Sequence, residues 1–158
     1  MIPPVYDESE IPERLRRLLA AEISRIVEDL AERQIFLIET WGRHRDRGPL
    51  LDTIFSRWRT LAMTDLALLD SEAIAACEAF YRDLDELRLY FQFTQDMPST
   101  LEQQYERALE RVAVTGSEAV TLLGGSPPTP TVTVVHDDGE EVAVPRLSLL
   151  APPDDDEG

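Results

Sequence analysis

The chain has 158 residues, 43% of them hydrophobic and 29% charged, which fits one globular domain and argues against intrinsic disorder. Its formal net charge of −16 argues against nucleic-acid binding, which depends on neutralising phosphates. The N-terminus lacks the basic start and apolar run of a secretory signal, and no apolar run reaches the roughly 18 residues of a membrane span. A cytoplasmic protein that engages neither nucleic acid nor membrane is expected.

The first predicted helix starts near Ser9, with Pro12 still in its first turn, and runs to about Trp41. Its apolar positions Leu15, Leu19, Ile23, Ile26, Leu30, Leu37 and Trp41 step mostly by three or four and form a stripe facing a core. Around Ile35-Phe36-Leu37-Ile38 the apolar surface widens to the whole circumference. That end must be covered by the protein's own core or by a partner.

Residues 41–60, WGRHRDRGPLLDTIFSRWRT, hold both tryptophans and five of the fifteen arginines, and the chain has no lysine. By segment, residues 1–40 carry −4, 41–60 carry +3 and 61–158 carry −15. Drift toward arginine in a GC-rich coding sequence accounts for the missing lysine; the local concentration needs another reason. Gly42 and Gly48-Pro49 mark a helix stop and a helix start, so Arg43, His44, Arg45 and Arg47 fall where the free carbonyls of a helix C-terminus favour cations. The second helix runs from Gly48-Pro49 and presents Leu51, Ile54, Phe55, Trp58, Leu61 and Ala62, with Arg57 and Arg59 straddling an inward-facing Trp58. Arginines beside aromatic rings recognise carboxylate or phosphate by forked hydrogen bonds and stacking. Trp41, Arg43, Arg45, Arg47, Arg57 and Arg59 are therefore one candidate partner-binding set. An acidic segment of a protein partner, or the chain's own Asp154-Asp155-Asp156-Glu157, is the matching ligand.

A bend between Thr64 and Ser71 precedes a third helix from about Ser71 to Phe93, with Ala73, Ala76, Phe80, Leu84, Leu87 and Phe91 buried. The fourth opens on Ser99-Thr100-Leu101-Glu102, a capping-box pattern, and keeps the stripe Leu101, Tyr105, Ala108, Val112, Thr115, Ala119 and Leu122 until Gly124. After it, Thr131–Val144 switches to a period of two around Asp138-Gly139, the signal of a hairpin with a two-residue turn. That pairing sets Val135 opposite Val142, Thr133 opposite Val144 and Val134 opposite Ala143. Valine on both faces makes Val132, Val134, Val135, Val142 and Val144 a second candidate binding set.

The expected fold is mainly α: an antiparallel three- or four-helix bundle over residues 1–124, a Gly/Pro linker at 125–130, a C-terminal β-hairpin at 131–150 and a disordered acidic tail at 151–158. Enzyme signatures are missing from the sequence, which has two histidines, one cysteine, no Cys-x-x-Cys, no glycine-rich phosphate loop and no Gly-x-Ser-x-Gly. No catalytic residue, cofactor or metal is expected. Cys77, among alanines, reads as a small core residue, Asp65 as a helix cap, and His136 beside Glu141 as a surface pair. The function expected is a non-enzymatic protein-interaction module, an adaptor or assembly factor binding a protein partner or a second copy. A small-molecule or anion sensor and an acidic carrier of a basic client are the alternatives.

Overall fold

A computed structural model describes residues 8–128 and, for 131–135, 139 and 141–145, the backbone. The described residues form six α-helices: α1 (Ile11–Glu32), α2 (Gln34–His44), α3 (Gly48–Thr53), α4 (Met63–Leu66), α5 (Ser71–Phe93) and α6 (Pro98–Leu122). Single 3-10 turns occupy Glu8–Glu10 and Trp58–Thr60. The long helices α1, α5 and α6 supply most of the core, with Ile23, Ile26, Val27 and Leu30 meeting Phe80, Leu84, Phe91, Leu101, Tyr105, Leu109 and Val112. At Gly116 the helices come so close that an added Cβ would lie 3.1 Å from Val27, 3.2 Å from Phe80 and 3.3 Å from Ile23. No larger residue fits there without movement.

Several expectations are corrected. The first helix is two, divided at Arg33. The Tyr105 hydroxyl on α6 donates to the Leu30 carbonyl at 2.5 Å, taking the acceptor that a continuous helix would offer the Gln34 N–H. A side chain entering the i→i−4 ladder is a common cause of a helix break. Beyond it α2 passes through Gly42 without stopping and ends at Arg45, whose φ of 51° is left-handed. Gly42 serves close approach instead, since a Cβ there would sit 3.1 Å from Pro98 at the start of α6.

The second helix is likewise shorter than its periodicity implies. It ends at Thr53, whose hydroxyl donates back to the Pro49 carbonyl at 2.8 Å. Two side chains of α1 take the backbone groups released beyond it: Arg25 donates to the Phe55 carbonyl at 3.1 Å, and Glu22 accepts the Arg57 N–H at 3.2 Å. Tertiary partners here outweigh a helical pattern whose intrinsic propensity is modest. After the bend, α4 starts with the Asp65 carboxylate accepting the Ala62 N–H at 3.1 Å, so Asp65 caps a helix. Helix α5 keeps its expected limits, with Asp70 accepting the Ala73 N–H at 2.9 Å. Helix α6 starts one residue before the Ser99–Glu102 pattern, on Pro98, and its N-cap Met97 makes no side-chain cap. Its far end closes as a Schellman motif, Gly124 N–H to the Thr121 carbonyl and Gly125 N–H to the Val120 carbonyl, with Gly124 at φ 83°.

The fold class is therefore corrected to a mainly helical one of six helices among the described residues. The region described with its side chains contains no β-strand or hairpin. The backbone segments Thr131–Val135 and Glu141–Pro145 run antiparallel with Val132 opposite Val144 and Val134 opposite Val142, one residue away from the expected register. Five residues lie between them where a two-residue turn was expected. The side chains of Val132, Val134, Val135, Val142 and Val144, together with His136 and the acidic tail, lie outside the described residues.

Candidate functional site

The expected arginine set divides between two places. At the first, Trp41 is 1% exposed and its indole N–H donates to the Asp96 carbonyl at 3.0 Å. The guanidinium groups of Arg45 and Arg47 lie over its ring, 5.1 and 4.8 Å from the centroid. Arg47 donates to the Phe91 and Thr94 carbonyls at 2.7 and 2.6 Å, and Arg45 to the Asp96 carbonyl at 2.9 Å and the Met97 sulfur at 3.6 Å. The last carbonyls of a helix have no intrahelical partner, so Arg47 caps the end of α5 and not the end of the helix that precedes it, while Arg45 holds the connection from α5 to α6. Tyr90 completes the closure, donating to the Asp96 carboxylate at 2.8 Å, and burial pushes its phenol up to about 12. Arg43 and His44 are exposed at the end of α2.

At the second place Trp58 is half-buried and stacks on Tyr81, with ring centroids 4.6 Å apart and planes 11° from parallel. The Tyr81 hydroxyl donates to Glu22 at 2.9 Å. Burial first, and the Glu22 charge second, hold that phenol well above the ordinary tyrosine range. Arg59 pairs with Asp85 on α5 at 2.5 Å, six residues and about 9 Å of helix before the carbonyl that Arg47 caps. Arg57 faces the other way, toward α1, into an open groove.

This groove holds about 520 Å³ and lies between α1 and residues 52–61. Leu15, Leu18, Phe55, Trp58 and Leu61 form its apolar wall, and Glu22, Arg25, Asp52 and Arg57 its polar rim. Leu18 is 70% exposed and Phe55 63% exposed. Of the rim, Glu22 and Arg25 are tied to the backbone of residues 55–57, whereas the side chains of Asp52 and Arg57 have no bonding partner among the described residues. Phe55 was expected inside; the helix end at Thr53 turns it out. Leu18 was missed: Leu15 was expected in the core-facing stripe, and the signal for Leu18 is its place in an apolar row Ile11, Leu15, Leu18, spaced i, i+4 and i+7.

Cys77 is buried, and burial pushes its thiol up to about 11, the direction that suppresses the reactive thiolate. Among the described residues no group of three or more His, Cys, Asp or Glu could hold a metal ion, and no helix is long and apolar enough to cross a membrane.

Against protein-family models, curated proteins and solved structures, the chain shows no match.

Proposed function

We propose that this chain is a non-enzymatic protein-binding module, acting in the cytoplasm, whose docking surface is the groove between α1 and residues 52–61. One observation carries the reading: two large apolar side chains, Leu18 and Phe55, stand mostly in water beside a half-buried tryptophan in a concave site. Apolar surface held open and rimmed by charge is characteristic of binding sites for other proteins. Aromatic residues with a neighbouring arginine are the side chains most often found to dominate such contacts.

Photo-crosslinking in native host cells tests this. A benzophenone side chain at position 18 is expected to give discrete protein adducts, and the same probe at Val114, an equally exposed apolar position on α6, is not. Phe55→Asp should abolish the adducts from position 18. Equal labelling from both positions, or none from either, contradicts the proposal.

The groove volume favours a second reading, since about 520 Å³ also suits a small molecule. A ligand at a hundredfold excess over its Kd would add about 2.7 kcal/mol of stability. A panel of metabolites that leaves the melting temperature unmoved removes that reading.

A further inference from the structure

The groove carries two charges of opposite sign that are unsatisfied among the described residues, placed on either side of its most exposed aromatic residue. Asp52 lies in the last turn of α3, Arg57 precedes the 3-10 turn, and Phe55 lies between them in the chain. Neighbouring charges are already committed: Arg25 to Asp29 and to the Phe55 carbonyl, Glu22 to Tyr81 and to the Arg57 N–H, and Arg59 to Asp85. A patch with a cation, an anion and an apolar centre, neither charge spent within the described residues, is complementary to itself under a two-fold rotation. Resting on the proposed role of this groove in binding protein, we infer that its partner is a second copy of this chain. A two-fold axis beside Phe55 sets Asp52 of each copy against Arg57 of the other and buries Phe55 and Leu18 between them.

The distribution of charge over the molecule favours the same occupant. Two chains of −16 repel one another, and residues 61–158 alone carry −15. Residues 41–60 are the only one of the three sequence segments with net positive charge, at +3. Within residues 52–57 the charges of Asp52 and Arg57 cancel, so an approach through this segment sets no net charge of one copy against the other. Salt at physiological strength screens acids more than about 8 Å from the contact. Of the arginines in this part of the sequence, Arg47 thus serves to cap α5 beside Trp41 and Arg57 to receive Asp52 of the second copy.

Solution mass by light scattering, on the full chain from micromolar to millimolar concentration, tests the inference with a charge exchange. Wild type is expected to approach twice the 17.9 kDa chain mass. Asp52→Arg and Arg57→Asp, taken singly, place like charges in both symmetric contacts and should weaken association by about tenfold or more. Mixed in equal amounts, each variant offers the other an opposite charge at both contacts, and the doubled mass returns. Circular dichroism is the check that each variant is folded, which is expected because both positions are exposed. A wild type at single-chain mass throughout, a dimer indifferent to either substitution, or a mixture that does not recover each overturns the inference. Failure here is distinguishable from failure of the binding role: a single-chain mass together with adducts from position 18 to a different protein rejects the second copy and keeps the groove, whereas a single-chain mass with no adduct rejects both.

Discussion

Trp41 and Trp58 stand seventeen residues apart in one arginine-rich stretch, yet they do opposite things. Around Trp41 the indole N–H and the guanidinium groups of Arg45 and Arg47 donate to carbonyls of residues 91–96, Arg45 also to the Met97 sulfur, and the ring is sealed. Around Trp58 the ring is half-covered, one arginine is paired across to α5, and Arg57 ends on nothing among the described residues beside an exposed Phe55. The two sites share a composition and differ in where their donors go. A cation spent on the protein's own backbone holds the fold, and an unspent cation beside open apolar surface is available for binding.

The largest break in this comparison should come from Trp41→Ala. Emptying a fully buried site and orphaning the Asp96 carbonyl is expected to cost about 3–5 kcal/mol, read as a lower midpoint in urea unfolding. Arg47→Ala should follow at about 2–3 kcal/mol, because two charge-assisted bonds to the end of α5 and a contact over the Trp41 ring go together. Asp65→Ala, which removes the cap of α4 near the groove, is expected to cost about 1 kcal/mol by the same measurement. Phe55→Ser should change stability by less than about 0.5 kcal/mol while abolishing crosslinking from position 18, since the ring lies mostly in water. A smaller effect concerns acid. The Ala73 N–H, and after it Arg16, hold the Asp70 carboxyl below the ordinary carboxylate range. A group so lowered contributes stability that is present above its unfolded pKa and is lost as the pH falls through its folded one. Asp70→Asn should therefore flatten the acid limb of a pH–stability curve and leave its neutral region with the same slope.

The parts of the fold that were legible in sequence are those decided locally. Helix α5 runs between its expected limits, because about six turns of unbroken period and an Asp70-Ser71 start leave no competing reading. The stop at Gly124 holds because a left-handed residue is needed there. What sequence could not show depends on distant partners. The break at Arg33 comes from Tyr105, 75 positions beyond the carbonyl it takes. The shortening of the second helix at Thr53 leans on Glu22 and Arg25 of α1, which accept from and donate to the freed backbone. For the same reason the six expected binding residues divide: Trp41, Arg45 and Arg47 are engaged at the end of α5, Arg59 is paired with Asp85, Arg43 is exposed and Arg57 alone lines the groove. Arginine and tryptophan announce a strong contact, and only the fold says with what.

Parallel urea unfolding of Arg47→Ala and Arg57→Ala, at concentrations where the chain is a monomer, tests the division most directly. A loss of about 2–3 kcal/mol is expected for the first and less than about 0.5 kcal/mol for the second. Equal losses from the two substitutions would mean that Arg57 is as much a part of the fold as Arg47, and would contradict the assignment of the Trp58 groove to binding.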